Sequence, residues 1–166
     1  MSSQKVLTIF IICFLLPLGG AFLLLKSDWL PGSTVNNGQF LVPEVKLEQW
    51  SKINPKPWAI ALRVAGQCES GCSVYISELK NIYLALGKNQ NKVDLVLLGS
   101  AGRQVKGFKN YTYPSGALKA DYLYLVDHMG LVVFSYELDR DLQTNRITAK
   151  GLIKDLKKLL KYARSS

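Results

Sequence analysis

Two of the three cysteines of this chain fall close together in GQCESGCSVY (66–75), where Cys68 and Cys72 are separated by three residues. A thiolate is a nucleophile, a soft metal ligand and half of a disulfide. The Cys-x3-Cys spacing is neither the Cys-x2-Cys of thioredoxin-type oxidoreductases nor the usual knuckle of a structural zinc site. Three chemistries remain open beside simple packing. A disulfide needs Cα atoms about 4.4–6.8 Å apart, which a loop-to-helix junction with Gly71 in it permits. A copper(I) site would use both thiolates and a third soft or imidazole ligand. A redox pair would pass two electrons to a partner's disulfide, or take them from its thiols.

The elements around the pair decide how it is presented. WAIALRVA (58–65) is a nearly all-apolar run of strand length, as in a strand covered on both faces. Helical spacing follows over 70–87, with Tyr75, Ile76, Leu79, Ile82, Tyr83 and Leu86 on one side and Gly87 as a stop. KVDLVLL (92–98) predicts a second strand, and 99–120 a long loop. DYLYLV (121–126), a turn at Asp127-His128-Met129-Gly130 and LVVFSYE (131–137) predict a hairpin. A last helix is expected from about Thr148 to Arg164, its buried side formed by Ile153, Leu156, Leu159, Leu160 and Ala163. A βαβ unit followed by ββα is the thioredoxin arrangement: an α/β fold with a central mixed sheet and helices on both faces. It places Cys68 and Cys72 at the C-terminal end of the first core strand, where α/β sheets keep their sites. A helix N-terminus there lowers a nearby thiol pKa and favours Cys68 as the thiolate.

The amino-terminal region reads differently. Val6 to Leu25 carries no charge, with Lys5 before it and Lys26 after it. Twenty residues at about 1.5 Å each match a hydrocarbon core of about 30 Å, which predicts one N-terminal transmembrane helix. Gly19-Gly20-Ala21 would suit signal cleavage, but the apolar run continues past it through Leu25. The expected organisation is an anchor (1–26), an irregular lead-in segment (27–57) in which Phe40-Leu41-Val42 forms an edge strand stopped by Pro43, and a thioredoxin-like domain (58–166). An N-in orientation puts that domain outside the cytoplasm, where disulfides persist. Cys13 lies within the apolar run, away from the pair. The chain has a net charge of +9. In an anchored extracytoplasmic domain this implies no nucleic-acid partner and fits a solvated or membrane-facing basic surface. The basic face of the last helix, with Lys150, Lys154, Lys157, Lys158, Lys161 and Arg164, reads first as a solvated face.

With Cys-x3-Cys after the first core strand and YLVDHMGLVVFSY as its closing hairpin, the chain resembles the Sco family of copper-binding, thiol-redox assembly factors for cytochrome c oxidase. It is similar, too, to small anchored proteins associated with cytochrome oxidase genes in Gram-negative bacteria. Those carry an N-x-G-x-[LF]-x-x-P motif, here Asn36, Gly38, Phe40 and Pro43, and a closing G-L-x-x-D-L-x-x-L-L helix, here GLIKDLKKLLK (151–161). The resemblance implies an inner-membrane protein with a periplasmic domain, partnered by oxidase subunits or assembly factors. It implies a redox pair at Cys68 and Cys72, with transient copper(I) on the same thiols.

Departures qualify this. SGALKAD (115–121) lacks the histidine that Sco proteins use for copper, and Ser73 follows the second cysteine where they have proline. The one histidine, His128, lies in the hairpin turn at the far end of an antiparallel strand and is rejected as a ligand, with Met129. No proline immediately precedes the Tyr122–Val126 strand; Pro114 is too early. Glu69, Tyr111 and Tyr113 are the residual candidates for a weak third ligand. Any enzyme activity is at most thiol-disulfide exchange. The alternative is a non-catalytic anchored interaction module with a structural Cys68–Cys72 disulfide.

Overall fold

In a computed structural model of the protein the described residues are 3–26, 36–53, 56–63, 72–99, 104–113, 116–139 and 141–162. The chain divides into two units, Met1–Val35 and Asn36–Ser166. In the first, helix α1 runs Ser3–Lys26 through Pro17. Apolar side chains such as Phe10, Leu16 and Leu23 are exposed on it, as is the free Cys13. Among the described residues no helix is long and apolar enough to cross a membrane; the side chains at 6, 7, 21, 24 and 25 of the uncharged run lie outside that description.

The second unit is a mixed α/β structure around a six-stranded sheet. Its elements are β1 (Gln39–Lys46), α2 (Trp50–Ile53), β2 (Trp58–Arg63), α3 (Cys72–Ala85), β3 (Val93–Leu98), β4 (Lys109–Tyr111), β5 (Tyr122–Asp127), β6 (Leu131–Glu137) and α4 (Leu142–Tyr162). The strand order is β1-β6-β5-β2-β3-β4. β2 and β3 are parallel, as their connection through a helix requires. β5 runs antiparallel to β2, and β6 antiparallel to β5. This arrangement is consistent with a thioredoxin-like fold. The near-continuous apolar runs are the central strands: β3 is buried along its whole length and β5 from its second residue on.

The two faces are covered unequally. On one, Leu79 and Ile82 of α3, Leu86 just after it, and Leu152, Leu156 and Leu160 of α4 close over Ile60, Leu62, Leu95, Leu97, Leu123 and Leu125. On the other, Trp50 of α2 packs with Leu47, Tyr111 and Leu118 against Ala59, Ala61, Val96 and Leu98. Among the described residues the expectation of helices on both faces is therefore met on the second face by the single turn α2. The segment after β3 has no helical apolar period, and the small Ala59 and Ala61 leave room for an indole instead.

Two expectations change at the edges. β1 does not stop at Pro43: it pairs with β6 at Gln39–Phe40 and again at Val45–Lys46, with a register shift between. The cis Val42–Pro43 peptide lies inside that shift, where proline's missing N–H leaves no ladder bond unmade. The long loop likewise contains β4, parallel to β3.

The motif residues of the lead-in and of the last helix meet at one buried carboxylate. Asp155, 1% exposed, accepts from the Asn37 N–H at 2.7 Å, the Gly38 N–H at 2.9 Å, the Asn37 side-chain amide at 2.9 Å and the Tyr136 hydroxyl at 3.0 Å. The residue in use is Asn37, not Asn36. Close approach requires both glycines. A Cβ at Gly38 would lie 2.5 Å from the Tyr136 ring, and one at Gly151 2.7 Å from the Asn37 Cβ.

Asp155→Asn keeps the volume but turns a donor toward donors, so unfolding in urea is expected to lose about 3 kcal/mol; an unchanged midpoint would show that the carboxylate is not structural. Burial pushes the Tyr124 phenol up to about 12, and burial followed by the Asp155 charge raises Tyr136 further. Folding holds both protons more tightly than the unfolded chain does. The stabilisation is thus complete below about pH 10, the ordinary phenol value, and is lost as pH rises through about 12. Phenolate absorbance from these two should appear together with the loss of far-UV circular dichroism. Ionisation of all 8 tyrosines near the ordinary value in a still-folded chain would contradict it.

Candidate functional site

β2 ends at Arg63 and α3 begins at Cys72. β2 lies inside the strand order, between β5 and β3, and a helix N-terminus is the positive end of the macrodipole. Cys68 and Glu69 lie outside the described residues, as does Pro114.

What the structure adds is a cation. Arg63 ends an otherwise apolar strand, in register with Leu98 on one side and Tyr122 on the other. Its guanidinium is held, among the described residues, by a backbone carbonyl and a ring. Nη1 donates to the Leu98 carbonyl at 3.4 Å, and the group lies 5.4 Å from the centre of the Tyr113 ring. Nε is buried with no hydrogen-bond partner among the described residues. Gly99, at φ +88°, is the floor of this slot; a Cβ there would come within 1.7 Å of Nη1. Backbone bonds fix the surroundings, from the Asp121 N–H to the Arg63 carbonyl at 3.1 Å and from the Gly99 N–H to the Tyr111 carbonyl at 2.9 Å. Among the described residues the ion pairs are those of Asp94, with Lys56 at 3.3 Å and Lys109 at 2.7 Å, and Arg63 has none.

The remaining candidates separate. Tyr111 donates its hydroxyl to the Glu48 carbonyl, and burial, then the Glu48 charge, raises its pKa. It is a core residue, not a metal ligand. Tyr113 is half-buried beside Arg63, where its ring rather than its oxygen makes the contact. His128 follows Asp127, which pairs with Trp58 at the opposite end of β2 from Arg63, about 17 Å away at strand rise. His128 and Met129 are exposed in that turn, where Asp127 accepts from the Met129 and Leu131 N–H groups at 2.8 Å each. Among the described residues no cluster of three or more His, Cys, Asp or Glu could hold a metal ion. Sequence reasoning overlooked Arg63 and Gly99, although a lone arginine closing WAIALR was the available signal.

No protein-family model and no curated protein matches the chain. Among solved structures, BsSco, a member of the Sco family of cytochrome c oxidase assembly proteins in which a disulfide switch was identified, aligns with 73% of this chain and 96% of its own length. The identity is 11% and the TM-score 0.40, too loose a likeness to carry an argument about function.

The Arg63–Gly99 slot is directly testable. Gly99→Ala imposes an unfavourable φ and displaces the guanidinium, for an expected loss of about 2 kcal/mol in denaturant unfolding. In an Arg63→Ala background only the backbone part should remain, giving a coupling of about 1 kcal/mol. Strict additivity of the two losses would show that the residues do not touch.

Proposed function

We propose that the chain is a membrane-anchored, thioredoxin-like thiol-redox protein of cytochrome c oxidase biogenesis, with Cys68 and Cys72 as its working pair. The observation that carries this is Cys72 as the first residue of α3, the helix that follows β2 in the chain, with β2 ending on Arg63, whose guanidinium has no carboxylate partner among the described residues. A positive helix terminus and an arginine both favour the thiolate, the form that attacks disulfides. The assignment to oxidase biogenesis rests on the sequence resemblance, through the Cys-x3-Cys pair, the N-x-G lead-in and the GLIKDLKKLLK helix. The anchor rests on the uncharged run Val6 to Leu25 and its helical course. With it go an inner-membrane location and a periplasmic domain.

In the exchange, the Cys68 thiolate attacks a sulfur of a partner's disulfide, forming a mixed disulfide and releasing one partner thiolate. The Cys72 thiolate then attacks Cys68 Sγ, forming the Cys68–Cys72 bond and releasing the second. The pair loses two electrons and the partner gains them; each step reverses if the partner is the stronger oxidant. Copper(I) calls for a third soft ligand. At this end the described residues offer a guanidinium and phenols, which do not complete such a site. The chemistry assigned here is therefore thiol exchange, with oxidase subunits or assembly factors as the partners.

The reduction potential of the Cys68–Cys72 couple should lie above about −300 mV; a much lower value would make it the structural disulfide of an interaction module. Copper(I) titration against Cys68→Ser checks the metal separately. No tight stoichiometric binding is expected, and its appearance in the wild type alone would restore a copper site.

A further inference from the structure

The positive charge of α4 is arranged in a line. Arg146, Lys150, Lys154, Lys157 and Lys161 are all exposed. At 100° per residue they fall within an arc of about 80° and run about 22 Å along the helix. The one carboxylate of α4, Asp155, is buried on the opposite side. None of the five cations makes an ion pair among the described residues, where both ion pairs belong to Asp94. Like charges at i,i+3 and i,i+4 repel, so the line weakens the helix that carries it. A face that is merely solvated would gain from interspersed glutamates. Leu142 and Ile147, 50% and 72% exposed, flank the line at its N-terminal end, as apolar residues flank the cations of helices lying in a lipid interface.

We infer that this stripe of α4 docks on an anionic phospholipid surface. The inference deepens the proposed function and rests on its membrane anchor. Charge complementarity selects the occupant, and so does the chain itself. Asn37 and Gly38, the start of the second unit, are bonded to Asp155 on α4. Only residues 27–36 separate Asn37 from the end of α1 in sequence, and ten residues reach at most about 40 Å. An anchored chain thus keeps α4 at high effective concentration beside the headgroups, where each exposed cation adds attraction. Docking would set the height and tilt at which the C-terminal end of β2 and the start of α3 are offered to a membrane-embedded partner.

The test uses the full chain in vesicles of phosphatidylcholine, with and without phosphatidylglycerol, and reads lysine acylation by mass spectrometry. Acylation of Lys150, Lys154, Lys157 and Lys161 is expected to slow about fivefold with phosphatidylglycerol. Lys46 and Lys106, exposed on other elements, should be unaffected, and high salt should abolish the difference. Equal acylation in both lipids overturns the inference and leaves an acidic protein as the alternative partner. A K150E/K154E variant with unchanged circular dichroism should lose the protection at Lys157 and Lys161; retained protection also overturns it. Flotation with pure phosphatidylcholine in high salt reports the anchor alone. A chain that floats there but labels equally keeps the anchor and loses the stripe. One that floats only with phosphatidylglycerol at low salt keeps the stripe and loses the anchor.

Discussion

A carboxylate taken out of water must be met by donors or it will not stay charged, and the Asp155 carboxylate is met by four. That requirement reaches across the second unit. Two of the donors are backbone N–H groups of the lead-in, a third is the Asn37 amide, and the fourth is a hydroxyl on β6. Satisfying them fixes where the chain arrives, how β1 begins its pairing with β6 and how α4 lies on the sheet. Each tie is short, and three of the four involve residues more than 100 positions from Asp155. Apolar burial alone would press α4 to the sheet, because Leu152, Leu156 and Leu160 face a core that accepts them in several registers. The buried charge selects one, since a slide of one turn would leave the carboxylate without partners.

This constraint explains why some of the fold can be read from residues and some cannot. WAIALR, KVDLVLL, DYLYLV and LVVFSYE are apolar runs or alternations of strand length, and their strands lie where the pattern puts them. Helix α3 follows its apolar period in the same way. β4 is only Lys109–Tyr111, and its pairing with β3 is a tertiary fact that a three-residue polar stretch does not announce. β1 continues past Pro43 because a register shift removes the need for an N–H there, and local propensity carries no sign of that. α4 begins at Leu142 rather than near Thr148. Asp141 caps it, accepting from the Thr144 N–H and hydroxyl at 2.9 Å each, and these bonds hold its own pKa below the usual carboxylate range. The apolar period that marks the helix starts later than the cap. The N-x-G and D-L motifs were visible as patterns, yet their shared meaning is a contact between distant residues.

The cysteine pair shows the same division. Topology alone led to the expectation of the pair at the C-terminal end of the first core strand; Cys72 is the first residue of α3, and Cys68 lies outside the described residues. Soft ligands and a proline are the helpers a thiol site suggests, and an arginine five residues after Trp58 is not among them. Arg63 gains its meaning from Gly99, just past the end of the neighbouring strand, which gives the guanidinium space, and from Tyr113, whose ring lies beside it.

The two ends of the sheet then differ in a way that bears on where chemistry belongs. At the start of β3, Asp94 is buried, and both its lysines also donate to backbone carbonyls, of Gln90 and Val93 for Lys56 and of Ile53 for Lys109. Charge and hydrogen bonding are closed there, as stability favours. At the other end the half-buried Arg63 guanidinium has, among the described residues, the Tyr113 ring and one long hydrogen bond to the Leu98 carbonyl. The two ends of the sheet thus meet their charges differently: a carboxylate enclosed by two lysines at one, a cation set against a ring and a carbonyl at the other.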